Sequence, residues 1–394
     1  MILILIELVS FTFSYAVSNI ALYAMLGLFF MDKPARIRGK VKRLYTDRLV
    51  SIYSIFFLVQ CIGLIYSENS AMGFRRLEVM LPLLFVPLVL SAEPLEKLHL
   101  NKIFTALKFL IPSSYALLLL YHLFVLDKAL NTFVNFTITE KIGISQFYLA
   151  FILVLPLIEC IRQIQDNRQL FLNGSLLMFN LGLVYLLGNK TTLVFLLFFG
   201  VIMMIQSFRK NRRTGLFMGV MLLVAIGFAT QTPIVKGRTN VFLKTTDFNL
   251  STIVTKNKYT ITKNTVEHRL LIDYIAVQAI IKALPFGYGT GDYMEELYKG
   301  YKRLKFKAGM YYKYNTHNQY LEEFLKTGIL GGLVFILLII QLLKGINAKD
   351  PFTFIIVFFA FACCFESYLF RQHGVTILAF IVPLIIYNTK KLYS

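Results

Sequence analysis

His317-Asn318, followed by nine residues and then Gly328-Ile329-Leu330-Gly331, joins a basic, tyrosine-rich loop to a long apolar run. A titratable imidazole therefore falls where a helix meets the membrane surface. Histidine is the side chain best suited to proton transfer near neutral pH, which makes His317 the first candidate base. Helical geometry puts residues 11 and 14 apart near one face, so His317, Gly328 and Gly331 align with Leu321 and Phe324 between them. Glycines on that face would let a neighbouring helix pack closely. Alone, a histidine at such a wet helix end is more often structural than catalytic.

Other residues could share chemistry with it. Arg269 lies in a stretch, 265–283, where Val266, Leu270, Tyr274, Val277 and Ile281 keep helical spacing. It could pair with Asp273 one turn on, or hold an anion. Lys190 falls in a very short turn between two apolar runs, either as a snorkelling lysine or as an anion ligand. Glu366 lies at the end of another run, with Arg371, Gln372 and His373 just beyond. An ionisable group there is a functional candidate, with an Arg371 ion pair as its structural alternative. Arg75 and Arg76 suit headgroup anchoring, and Lys108, Glu159 and Asn180 receive no role. Gly287-Tyr288-Gly289-Thr290-Gly291 has no preceding strand and signals a flexible bend, not a nucleotide loop. No Asp-x-Asp and no zinc-type spacing occurs in the outward loops, and Asp292 with Glu295 and Glu296 is an unconvincing metal cluster. Cationic side chains must carry any anion chemistry, without metal or cofactor.

The elements that position these residues are membrane helices. Of 394 residues, 57% are hydrophobic, and the mean hydropathy is +0.65, well above a soluble domain. Spans of ~20 apolar residues are predicted near 49–66, 77–91, 103–125, 147–160, 170–188, 191–207, 215–231, 321–343, 351–369 and 375–388. Residues 2–30, too long and apolar for a cleaved signal peptide, form one long helix or a hairpin with a polar break at Ser18-Asn19. About twelve spans result if the hairpin holds. Cys61, Cys160, Cys363 and Cys364 all fall in apolar runs and suggest no disulfide framework. The net charge of +20 suits anionic lipid headgroups or an anionic substrate rather than nucleic acid.

The positive-inside rule places 32–48, 209–213, 344–349 and the Lys390-Lys391 tail in the cytoplasm. Residues 68–76, 126–146, 189–190, 232–320 and 370–374 then face outward. One membrane domain is expected, made of an N-terminal bundle (1–231), a large outward loop with short helices (232–320) and C-terminal helices (321–394). Residues 232–316 carry 14 Lys/Arg against six Asp/Glu, and a connection this long is usually functional.

With these residues in view, the chain resembles the O-antigen ligase and O-antigen polymerase family of bacterial membrane glycosyltransferases. His317, Asn318, Gly328 and Gly331 match its His-Asn, nine-residue, Gly-x-x-Gly signature. Arg269 through Pro285-Phe286-Gly287-Tyr288-Gly289 is similar to its arginine-bearing helix and Pro-x-Gly-x-Gly turn. Asn189-Lys190 resembles its Ser-Arg element, with a lysine point charge replacing the bidentate arginine fork. Glu366-Ser367, Arg371-Gln372 and Gly374 resemble a C-terminal element of some members. The resemblance implies a GT-C-like fold in the bacterial inner membrane with its active site facing the periplasm. It implies metal-independent, inverting transfer of a glycan from undecaprenyl diphosphate to lipid A-core or another glycan acceptor. His317 would be the base, Arg269 and Lys190 the diphosphate ligands, Asn318, Glu366 and Arg371 secondary candidates, and Gly287, Gly289, Gly328 and Gly331 structural. Polymerase or protein O-oligosaccharyltransferase activity are alternatives within the family. A lipid-linked sugar transporter is the alternative outside it, though it predicts inverted repeats that are not visible.

Overall fold

Apolar runs in lipid can satisfy their backbone groups internally as helices. The computed structural model describes residues 2–92, 97–231, 242, 244–262, 264–347 and 350–390, and no strand occurs among them. The first run is the hairpin, with α1 (Ile2–Ser10) folding back on α2 (Tyr15–Phe30). The turn falls at Phe11–Ser14, and Ser18, inside α2, donates its hydroxyl to buried Glu7 at 2.7 Å. Nine residues reach only about 14 Å, so α1 cannot cross a ~30 Å hydrocarbon core. After α2 the chain bends by 116° into a basic helical segment at Pro34–Thr46, comprising α3 (Pro34–Val41) and α4 (Arg43–Thr46).

Six described helices are long and apolar enough to span a membrane: α5 (Arg48–Ile65), α8 (His99–Val125), α9 (Gln146–Gln165), α10 (Leu170–Leu187), α11 (Lys190–Lys210) and α17 (Gln319–Leu343); the bent pair would make a seventh. The predicted span at 77–91 is divided between α6 (Ser70–Met80) and α7 (Pro82–Ala92). Proline at 82 lacks the N–H a continuous helix needs there. α12 (Arg212–Gln231) is a 20-residue helix. The last two runs give shorter apolar helices, α18 (Pro351–Ala362) and α19 (Gln372–Tyr387). Length and composition alone thus do not reach twelve spans. Central α9 is buried at every residue from Tyr148 to Ile161 and packs against α8, α10 and α11. Lys108 and Glu159 are tied into a polar cluster there, Lys108 to Gln163 and Asn173 and Glu159 to Arg162, each at 2.8 Å. Lys349 and Lys391, expected to face inward, lie outside the described residues.

Between α12 and α17, the long loop forms α13 (Leu250–Tyr259), α14 (Thr265–Ala283), α15 (Tyr293–Arg303) and α16 (Lys307–Tyr312). These helices have a small core of their own, including Ile253, Leu271, Ile275, Tyr293, Leu297 and Phe306, which Leu325 of α17 joins. α14 has the predicted boundaries, and the apolar residues at helical spacing do not form its buried face. Leu271, Ile272, Ile275 and Ala276 turn inward, whereas Leu270, Tyr274, Val277 and Ile281 remain exposed. The helix has two apolar faces, and the loop core takes the one with smaller gaps between its members.

The expected flexible bend after α14 is instead fully docked. α17 is interrupted at Thr327 and Gly328, where Gly328 has φ 60° and ψ −144°. The interruption frees carbonyls that an intact helix would use. Tyr288 and Gly289 donate their backbone N–H groups to the carbonyls of Leu325 and Lys326 at 3.0 and 2.8 Å, and Ile329 N–H returns a bond to Pro285 at 2.9 Å. On the other side, Thr290 bonds α5 through Gly63 at 3.2 Å and Gln60 at 2.7 Å. A Cβ on Gly287 would sit 2.5 Å from Gly328 N. The glycines therefore seat a backbone turn in the break of α17, not a neighbouring helix, and Gly331 lies against Thr327 of its own helix.

Gly328→Ala should cost about 2 kcal/mol or more, because L-residues are strained at this conformation and a Cβ would collide with the Pro285 carbonyl. Thermal unfolding of the purified protein in detergent measures this; an unchanged midpoint would contradict the docked break.

Candidate active site

His317 precedes α17 in a left-handed conformation, φ 49°, which is uncommon for a residue with a Cβ. Local bonds hold it there. Its N–H donates to Asn315 Oδ1 at 3.1 Å, and Asn318 caps α17 by accepting from Leu321 N–H at 3.2 Å. Asn318 is thus engaged as a helix cap. Thr316 contacts Ser367 Oγ at 2.8 Å and donates to Glu322 at 3.2 Å. Gln319 accepts from Leu369 N–H at 2.7 Å, and its own N–H reaches the Cys363 carbonyl at 2.8 Å. These bonds lace the start of α17 to the turn between α18 and α19.

The lacing brings Glu366 to His317. Glu366 is buried, and its Oε2 lies 3.0 Å from His317 Nδ1. A carboxylate on Nδ1 favours the tautomer with the proton there and leaves Nε2 as the acceptor. The same Oε2 lies 3.9 Å from Arg269. Glu366 therefore pairs with His317 and Arg269, not with Arg371. Arg371 is exposed at the start of α19 and makes no described ion pair with Glu366. Arg269 also donates to the carbonyls of His317, at 3.4 Å, and Phe365. It bridges the backbone on both sides of the His–Glu pair.

Asp273, one turn along α14, forms no ion pair with Arg269 within 4 Å among the described residues. It bears on the site through its field. Burial raises its carboxyl to about 6, opposed by Arg269 and then His317. Burial likewise works against the Arg269 charge and lowers its pKa, while Glu366 and then Asp273 offset the effect. Arginine remains a cation regardless.

Beneath His317 lies a group the sequence reading did not single out. Lys326 Nζ sits 3.1 Å from Glu322 and 3.0 Å from Glu323, all three buried. Gln60 of α5 donates to Glu323 at 2.7 Å, and Tyr293 of α15 to Glu322 at 3.2 Å. The i,i+4 spacing of Glu322 and Lys326 inside an otherwise apolar run is the signal that could have revealed it. Arg76 belongs to the same end of the molecule. It donates to the Phe370 carbonyl at 3.1 Å, and its guanidinium lies 3.8 Å from the Phe370 ring centroid. It is thus a clamp on the Glu366–Gln372 segment rather than a headgroup anchor. Asp292 accepts from Glu68 and Asn69 N–H groups at 2.8 and 2.9 Å, while Glu295 and Glu296 face Lys299. These contacts make the acidic cluster structural.

Lys190 lies at the start of α11. It is exposed at the first turn of α11, which Asn189 caps, and lines an apolar cavity of about 640 Å³ between α9, α10, α11 and α12. The cavity wall also includes Val266 of α14, three residues before Arg269. The cavity thus runs from Lys190 to the helix that carries Arg269.

The loop helices and the turn between α18 and α19 thus converge on a His–Glu–Arg cluster. A model of the O-antigen ligase family matches residues 174–336. Over that stretch, which holds Lys190, Arg269, His317, Gly328 and Gly331, the chain is similar to the O-antigen ligase family. No curated protein matches it.

Asp273→Asn tests the electrostatics. Ionising a carboxyl raised from 3.8 to about 6 costs the folded state more as pH rises between those values and levels off above them. The variant's gain in thermal stability over the wild type should therefore grow from about pH 4 to pH 6 and then stay constant. A gain independent of pH would contradict the buried charge.

Proposed function

We propose that the chain is an O-antigen ligase-type glycosyltransferase working on the outer face of the inner membrane. It moves a glycan from undecaprenyl diphosphate to a sugar hydroxyl of lipid A-core. The observation that carries this reading is the 3.0 Å contact between His317 Nδ1 and Glu366, with Arg269 beside it.

In the proposed step, the acceptor hydroxyl oxygen forms a bond to the donor's anomeric carbon, opposite the departing oxygen. Its proton passes to His317 Nε2 as the new bond forms. The bond between that carbon and the diphosphate oxygen breaks, and its electron pair leaves with the diphosphate. Glu366 stabilises the imidazolium formed on His317 and holds the ring in orientation. Negative charge gathers on the leaving group, where remaining Arg269 donors and the Lys190 ammonium lower the barrier. Anomeric inversion follows from a single displacement. The apolar cavity that Lys190 lines suits the donor's polyprenyl chain, since its other walls are mainly Leu, Ile, Phe and Met side chains. The energy resides in the diphosphate linkage, so no nucleotide is consumed.

His317→Ala should lower glycan transfer by ~10²–10⁴-fold, the usual contribution of a positioned general base, with protein level unchanged. Glu366→Gln should give a loss on the order of 10²–10⁴-fold, since an orienting carboxylate is removed. Radiolabelled donor and purified protein provide the measurement, and full activity in His317→Ala would overturn the assignment. A lipopolysaccharide gel of a deletion strain resolves the acceptor. The ligase reading predicts core without O-chains, whereas core bearing a single repeat would show a polymerase.

A further inference from the structure

The loop preceding His317 presents tyrosine rings in sequence. Tyr311 and Tyr312 meet edge to face at 4.9 Å between centroids. Tyr312 stacks on Tyr314 at 5.4 Å with an interplanar angle of 25°. Tyr314 meets the His317 imidazole at 5.5 Å. The outer rings are open, Tyr311 at 72% and Tyr312 at 53% exposure. A contiguous exposed aromatic patch marks a surface that meets a partner or ligand.

The backbone beneath these rings is fixed. Tyr298 and Tyr301 of α15 donate their hydroxyls to the carbonyls of Lys313 and Tyr314 at 3.1 and 3.2 Å. Lys313 has φ 50°, a left-handed step that lets successive side chains pack in this way. The tyrosines therefore form a held surface whose inner end touches the candidate base. Tyrosine offers broad, rigid contact area at small entropic cost, with a hydroxyl for hydrogen bonding.

We infer that Tyr311, Tyr312 and Tyr314 form a glycan subsite, on which pyranose rings of the saccharide stack as its reactive hydroxyl reaches His317. A pyranose has an apolar face of C–H bonds flanked by hydroxyls, and that face matches an exposed aromatic ring with a polar edge. Tyrosines serving as a membrane belt would each meet lipid separately; here the rings are contiguous and end on the imidazole. The subsite rests on the transferase reading for its use, but binding can be measured without turnover.

The test uses the full chain in nanodiscs and, as probe, oligosaccharides of one to three repeats hydrolysed from the producing organism's own surface polysaccharide. Saturation-transfer NMR reads contact between sugar protons and protein. The wild type and His317→Ala should both give saturation transfer. Tyr311→Ala/Tyr312→Ala should lower it at least ~5-fold, with the thermal midpoint tracking folding. The Tyr311→Phe/Tyr312→Phe variant, which keeps the ring faces, should retain most of it. Wild-type saturation transfer in the alanine variant, or equal loss in the phenylalanine variant, would overturn the subsite. Full transferase activity in His317→Ala would sink the catalytic reading and leave the binding result standing.

Discussion

Two free carbonyls in the middle of a membrane-type helix set the terms for the rest of the molecule. The break at Thr327 and Gly328 releases the Leu325 and Lys326 carbonyls in surroundings where water is scarce and an unpaired polar group is costly. The turn after α14 supplies the missing N–H groups. Docking it there fixes the end of α14, which carries Arg269, and the beginning of α15, whose Tyr293 reaches Glu322. A continuous α17 would have left the turn's own N–H groups without those acceptors. The spacing of the glycines thus answers a requirement for close backbone approach, and the candidate site is positioned as a consequence.

Charge follows the same logic. Glu322, Glu323 and Lys326 are buried together and satisfied by Gln60, Gln319, Thr316 and Tyr293. A buried ion cluster adds little net stability, but removing any one partner strands the others. It therefore constrains where α17 can sit against α5 and α15. In the turn between α18 and α19, Glu366 is shared between the imidazole and Arg269. The first cluster holds a position, whereas the second leaves the imidazole partly open, with 23% side-chain exposure. That difference in access separates a scaffold from a site.

The sequence disclosed those features that depend on local pattern. Helical spacing located α14 at its observed bounds, and apolar run length located the six full spans. His317 and Glu366 stood out by residue type at the ends of such runs, and Arg269 stood out on the loop helix. Features that depend on tertiary pairing stayed hidden. Glu366 faced a nearer partner in Arg371, and Arg269 one in Asp273, yet both turned to residues far along the chain. Periodicity located α14 but did not show which face would be buried, because both of its faces are apolar. The glycine motif was legible as close approach, but not as a break in the helix, since spacing along a sequence does not show which backbone comes near. Lys190 lies with the apolar cavity that reaches α14, a relation that no spacing between residues 190 and 266 could reveal.

The central claim is that His317 and Glu366 act as one unit, with the carboxylate working through the imidazole. A double-mutant cycle in glycan-transfer rates tests it most directly. If the claim holds, the combined His317→Ala/Glu366→Gln variant should transfer at nearly the same rate as His317→Ala alone, within ~3-fold, because groups that act together are strongly non-additive. Multiplied losses in the double variant would show two independent contributions and contradict the account.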